Sequence, residues 1–188
     1  MGRWLPDARG RLVGAAIELY EERGFEQTTA ADIAERAGVT ERTYFRHFAD
    51  KREALFAGSE RLLEEVVAAV RDAADAAPAD IAVGAIQSGA AFLELDRGYA
   101  ARRLRVIEAN ASLTERELLK MSTLARAVAG ALRERGVEES TAGLAAETAV
   151  MVFSVGFQRW VRGDASADLA GSIRSAFEQL RALTSLDS

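Results

Sequence analysis

Apolar residues recur at three- and four-residue intervals along nearly the whole chain, and almost nothing interrupts them. Leu12, Ala15, Ala16, Leu19 and Tyr20 fall on one helical face, as do Leu62, Leu63, Val66, Val67 and Val70. Only 2 of the 188 residues are proline, and β-branched runs are scarce. Helix is favoured throughout, and no segment reads as a strand. The expected fold class is all-α, with about nine helices.

Capping and breaking residues mark out the elements. Asp7 follows Pro6 and can cap a first helix, which Gly24 stops, with Phe25 turning inward behind it. Thr29 and Asp32 form a capping-box-like start to a second helix, and Gly38 ends it. Thr40 can cap a third helix, marked by Tyr44, Phe45 and Phe48. A long helical pattern then runs from Lys51 to about Ala76. Further helices are expected over roughly 79–96, 98–110, 112–135, 140–162 and 167–184. This order suggests an N-terminal three-helix domain, residues 1–52, and a larger helical domain, residues 53–188. The boundary would lie inside the long helix after Lys51.

Composition narrows the function. With 49% hydrophobic residues a sizeable core can form. There is no cysteine, which excludes disulfides, thiolate zinc sites and cysteine nucleophiles. The apolar stretch Ala149–Phe157 is shorter than the ~20 residues a bilayer span needs, and the start lacks the apolar core of a signal peptide. A cytoplasmic protein without a membrane partner is expected. Net charge is −5, and residues 1–52 carry 9 basic and 9 acidic residues. Any nucleic-acid contact must therefore come from local placement of charge.

Residues 29–48 read as helix, glycine turn, helix, the arrangement that presents a second helix to a major groove. At about 100° per residue, Tyr44, Phe45 and Phe48 cluster on one side of that helix, while Arg42, Thr43, Arg46 and His47 point away from Phe48. The outward set carries donors that phosphates and base edges accept. Thr29 leaves a helix N-terminus that suits a phosphate oxygen, and Lys51 can hold another. Structural alternatives stand beside several of these, and His47 fits a structural or merely exposed histidine. Tyr44 fits the core as well as a DNA face, Arg46 fits an ordinary solvated charge, and Arg3, Arg9 and Arg11 fit either a minor-groove arm or a solvated end.

The run from Gly24 to Lys51, GFEQTTAADIAERAGVTERTYFRHFADK, resembles the DNA-binding segment of the TetR family of transcriptional regulators over roughly residues 8–56. The resemblance implies a ligand-responsive regulator, a repressor, that binds double-stranded DNA at an inverted-repeat operator as a homodimer. It implies phosphate contacts from Thr29, Tyr44, Phe45, His47 and Lys51, and base contacts from Arg42 and Thr43. The family often has tyrosine where this chain has Phe45, so a phenol-to-phosphate bond is lost there. The run Arg102–Glu108 faintly resembles the mycofactocin-regulator subgroup.

For the larger domain, the nearly all-round apolar segment Ala145–Trp160 and the stripe Leu169, Ile173, Ala176, Phe177 and Leu180 are the expected dimer helices. Gly156 and Ala149 would permit close helix approach. A small-molecule effector is expected inside this domain, with Phe92, Leu95, Leu104, Ile107, Met121, Leu124, Phe153 and Phe157 as candidate lining residues. Large side chains beside Gly89, Ala90 and Gly156 could leave a cavity there, and Arg102, Arg105, Glu108 and Asn110 are the nearest polar groups. No cofactor and no metal site is expected. Enzymatic chemistry has no converging polar groups to draw on, because the single histidine, His47, lies in the DNA motif.

Overall fold

The computed structural model describes residues 7–163 and 168–184, with the side chains of Phe92 and Leu95 outside the described set. Among the described residues there are nine α-helices and no strand. They are α1 (Ala8–Arg23), α2 (Ala30–Arg36), α3 (Glu41–His47), α4 (Ser59–Asp72), α5 (Pro78–Ala90), α6 (Arg97–Glu108), α7 (Ala111–Glu134), α8 (Glu139–Arg162) and α9 (Leu169–Thr184). Short 3₁₀ helices cover Glu53–Phe56 and Ala91–Asp96.

The expected long helix from Lys51 is not continuous. Residues Glu53–Phe56 form a 3₁₀ turn, Gly58 takes a φ of 94°, and α4 starts only at Ser59. A φ in that range is open to glycine and rarely to other residues, so Gly58 breaks a pattern whose apolar spacing alone reads as unbroken.

The chain divides into two compact units. The first holds the N-terminal segment to Gly58 together with Arg102–Arg116, which lies in the middle of the expected larger domain. The second holds Ser59–Ala101 and the chain from Glu117 onward.

In the first unit, α1 packs on α2, and α2 on α3. Leu12, Ile17, Leu19, Ile33 and Tyr44 are fully or almost fully buried, and Phe25 plugs the end of α1. Local chemistry sets the helix ends. Asp7 accepts from the Gly10 amide at 2.8 Å. Thr29 and Asp32 complete a reciprocal capping box. The turn between α2 and α3 closes when the Gly38 amide donates to Glu35 O and the Val39 amide to Ala34 O, with Gly38 at φ 68°. Thr40 then caps α3 by accepting from the Thr43 amide.

The α6–α7 corner joins this unit through polar contacts. Arg102 and Arg105 pair with Glu21 at 2.6 and 3.0 Å, Arg103 donates to Leu55 O, Asn110 donates to Glu26, and Arg116 pairs with Glu53 at 2.9 Å. Arg102, Arg105 and Asn110, expected beside an effector cavity, are thus engaged with α1 and the turn after it.

The second unit is a helical bundle with α5 packed between α4 and α8, and α9 against both α5 and α8. Its core is rich in small residues, including Ala82, Ala85, Ala131, Ala142, Ala146 and Ala149, around Val66, Ile86, Leu132, Phe153 and Ile173. The glycines serve close approach rather than leaving voids. A methyl at Gly156 would sit 2.7 Å from the Ile173 Cα, and one at Gly89 2.5 Å from a Val66 methyl. Gly156 therefore brings α8 against α9 of its own chain. The apolar run is also longer than Ala149–Phe157 implies: α8 has 24 residues and is long and apolar enough to cross a membrane on those grounds alone. Packing on α5 and α9 accounts for that composition, since Ala142, Ala146, Ala149, Val152, Phe153, Gly156 and Trp160 are buried there.

Candidate nucleic-acid interface

On the seven-residue helix α3, the 100° spacing sends Tyr44 inward at 0% exposure and leaves Phe45 at 52%. Arg42, Thr43, Phe45 and Arg46 line one open depression of about 570 Å³. Arg42 and Arg46 make no hydrogen bond or ion pair with any described residue, so their guanidinium donors are free to meet an external acceptor. Thr43 shares a 3.0 Å hydrogen bond with the Thr40 hydroxyl. Four of the eight expected contact residues are thus gathered on one outward surface.

The other four are placed differently. The Tyr44 hydroxyl donates to Asp50 O at 3.0 Å, and burial raises its pKa well above the ordinary tyrosine value. Of the two roles open to Tyr44, the structure gives it the core one. The Thr29 hydroxyl donates to Asp32 Oδ2 at 2.7 Å, and the same oxygen accepts the Thr29 amide at 2.8 Å. Those two bonds, with a smaller contribution from Arg23, hold the Asp32 carboxyl below the usual carboxylate range. His47 is half-buried, and its Nε2 is enclosed with no hydrogen-bond partner among the described residues.

Lys51 has partners that the sequence does not announce. Its ammonium donates to Phe25 O at 2.8 Å, Thr28 O at 3.1 Å and Glu26 O at 3.3 Å, and it lies 4.2 Å from the centre of the Phe25 ring. An ammonium has three donors, and all three are engaged with the turn between α1 and α2. The Lys51 carbonyl in turn accepts from the Tyr20 hydroxyl. Lys51 is therefore a clasp that fixes the turn entering α2, and only its charge remains to act on a phosphate.

Other groups found here were not expected. Thr28, fully buried, donates to Leu19 O and Gly24 O, closing the same turn from within. Arg36 makes a two-pronged contact with Glu22 at 2.8–2.9 Å and reaches Glu18 at 3.4 Å. Arg11 donates to Ala37 O, and Arg9 stands over the Phe48 ring at 5.4 Å. Arg9 and Arg11 thus hold the module together; Arg3 lies outside the described residues.

The expected effector-lining residues do not fall in one unit. Leu104 and Ile107 belong to the first unit, and Met121, Leu124, Phe153 and Phe157 to the second. Phe92 and Leu95 have side chains outside the described set. In the second unit, Phe153 and Phe157 stand 5.7 Å apart, and Phe157 and Trp160 5.9 Å, as an aromatic ladder along α8.

Residues 12–57 match the model of the family "Bacterial regulatory proteins, tetR family". The chain is 36% identical over 74 residues to the transcriptional activator FasR of Mycolicibacterium smegmatis, covering 38% of this chain and 34% of FasR. It is 47% identical over 51 residues to the transcriptional regulator TcmR of Streptomyces glaucescens, covering 27% and 23%. The chain thus spans about a third of FasR and under a quarter of TcmR. Over nearly its whole length the fold resembles that of the regulator FadR from Bacillus subtilis, solved with stearoyl-CoA. The TM-score is 0.62 and the identity 20%, with 95% of this chain and 99% of that one covered. None of these similarities points to the mycofactocin-regulator subgroup. The N-terminal module, residues 12–57, thus matches the tetR family of bacterial regulatory proteins, and over nearly its full length the chain shares its fold with FadR.

Proposed function

We propose that this chain is a ligand-responsive transcriptional repressor, a cytoplasmic homodimer that binds an inverted-repeat operator in double-stranded DNA and is released by a small molecule. One observation carries the reading: the depression on α3 gathers Arg42, Thr43, Phe45 and Arg46, with both guanidinium groups unengaged by described residues. A free guanidinium on a recognition helix matches the O6 and N7 acceptors of guanine, and Thr43 can serve a base edge or a phosphate. Arg42 and Thr43 are the base readers, and Arg46 supplies a backbone contact. His47, Thr29 and the charge of Lys51 add favourable positions for phosphate at the edge of the contact. The DNA-binding domain is residues 1–52, and the sensing and dimerising domain residues 53–188. Enzymatic activity has no place in this reading.

Dimerisation is supported by α8. Leu144, Met151 and Val155 are exposed at 71%, 46% and 39%, and with Thr148 they trace one stripe at helical spacing. A second copy covers that stripe, and two-fold pairing supplies the two reading heads an inverted repeat needs. The effector site is assigned to the second unit, around Met121, Leu124, Phe153 and Phe157, and takes a small, mainly apolar molecule. That molecule must bind the DNA-free state more tightly, because equal affinity for both states shifts nothing. The mycofactocin-like run Arg102–Glu108 does not identify it, since Arg102, Arg103 and Arg105 engage Glu21 and Leu55 of the first unit.

The test is selection of bound fragments from genomic DNA by the full chain, with sedimentation alongside. The expected result is an enriched inverted repeat bound by a dimer, with affinity lowered by the effector. Failure to enrich any sequence, or a stable monomer at micromolar concentration, would overturn the proposal.

A further inference from the structure

We propose that Phe45 is a base-reading residue that recognises the C5 methyl of a thymine in each half-site, an inference that rests on the DNA-binding reading above. A phenyl ring at 52% exposure is out of keeping with its neighbours, since Tyr44 and Phe48 are 0% and 4% exposed. It shares its depression with Arg42, Thr43 and Arg46. Phe45 lies three residues from both Arg42 and Phe48, about 60° from each around the helix. It therefore occupies the flank of α3, between the outward guanidinium and the buried wedge.

The ring is held in place. It meets the Tyr44 ring edge-on, 5.6 Å between centres and 84° between planes. Tyr44 is itself fully buried and bonded to Asp50 O. A side chain ordered before binding loses little freedom when it binds.

A phenyl group has no donor and no acceptor, so it cannot bond a phosphate oxygen or a polar base edge. It gains only by removing apolar surface from water. Among the base edges in a major groove, thymine alone presents an apolar group, its C5 methyl. Deoxyribose is the other apolar surface within reach, and it carries no sequence information. The two alternatives give opposite results in one experiment.

The operator duplex selected by the full chain is resynthesised with deoxyuridine at each thymine in turn. This deletes the methyl and leaves every hydrogen-bonding group in place. Burial of one methyl corresponds to about fourfold in affinity. Wild-type protein is expected to lose about fourfold at one thymine per half-site, and about fifteenfold when both are replaced. Phe45→Ala should bind the two duplexes equally, and Phe45→Leu should retain part of the dependence. Because the ring makes no hydrogen bond and is half exposed, neither variant threatens the fold. A wild-type protein indifferent to every deoxyuridine, or a dependence undiminished in Phe45→Ala, would overturn the proposal. Both outcomes are read on a duplex that binds specifically, so the DNA-binding reading would survive them. If no duplex is selected, that reading fails and takes this proposal with it.

Discussion

The two units are held together by different physics. The first is small, and polar contacts, most of them across long sequence separations, fasten it: Lys51 to three carbonyls, Tyr20 and Tyr44 to the backbone at 50–51, Arg36 to Glu18 and Glu22, and Arg102 and Arg105 to Glu21. The second has long helices and an alanine-rich core in which glycine lets backbones touch. A small module buries too little apolar surface to fix its shape by packing alone, and a reading head must hold its helix in one orientation. Polar clasps add the directionality that apolar burial lacks. The first unit should therefore break on losing a charge, and the second on gaining a methyl.

The largest effect expected is at Lys51. Lys51→Met keeps the stem and removes the ammonium, leaving the carbonyls of Phe25, Glu26 and Thr28 without that donor. The loss should be about 3 kcal/mol, given that hydrogen bonds to charged groups are worth about 1.5–3 kcal/mol and do not simply add. Hydrogen exchange should show it in the α1–α3 segments, with the amides of α8 and α9 unchanged. A variant that keeps full protection in α1–α3 would remove the distinction between the units.

Gly156→Ala tests the other side. The added carbon would meet the Ile173 backbone at 2.7–2.8 Å, so α8 and α9 must separate. Overpacking of this kind costs about 1–3 kcal/mol. The expected signature is the reverse of the first, with faster exchange in α8 and α9 and none in α1–α3. Unchanged exchange in α8 and α9 would mean that contact is not limiting.

These two residues also mark the limit of what the sequence makes legible. The caps at Asp7, Thr29 and Thr40 and the turn at Gly38 are local, and spacing of a few residues suffices to read them; the inward side of α3 is read only in part, since Phe45, grouped by spacing with Tyr44 and Phe48, is 52% exposed. Lys51 defeats that kind of reading, because its partners lie 23 to 26 residues earlier and a lysine next to a DNA motif looks like a phosphate ligand. Arg102 is harder still, 81 residues from Glu21. Gly58 is missed for the opposite reason, since a lone glycine in an apolar stripe does not announce a positive φ. Gly156 is recognisable as a point of close approach, but sequence alone does not say whether the approaching helix belongs to the same chain.

Acid gives a smaller effect, spread over both units, since Glu134 and Glu138 of the second are held below the ordinary glutamate value as well. Burial pushes the Glu21 carboxyl up, but hydrogen bonds from Arg102 and Arg105 outweigh it and hold the group below the ordinary glutamate value. Glu22 is lowered by Arg36, and Asp32 by Thr29. A carboxyl whose folded pKa is depressed contributes stability above its unfolded pKa, about 4 here, and loses it as the pH falls through the folded value. The urea midpoint should therefore be flat above about pH 5 and fall below about pH 4. Glu21→Gln should lower the plateau by about 0.5 kcal/mol, since Arg102 and Arg105 are both partly exposed, and flatten the fall. A midpoint indifferent to pH in the wild type would contradict the clasp account.

The central claim is that α3 reads DNA through its unengaged outward groups while the inward ones position it. Arg42→Ala tests it most directly, by titration against the selected operator and against unrelated duplex at one salt concentration. Loss of a base-reading contact corresponds to about 1–3 kcal/mol, or roughly 5- to 150-fold, and should blur preference at one base pair per half-site. Operator affinity should fall by that factor while affinity for unrelated DNA changes far less. An equal fall on both duplexes would make Arg42 a backbone contact, and no fall on either would remove α3 from the interface.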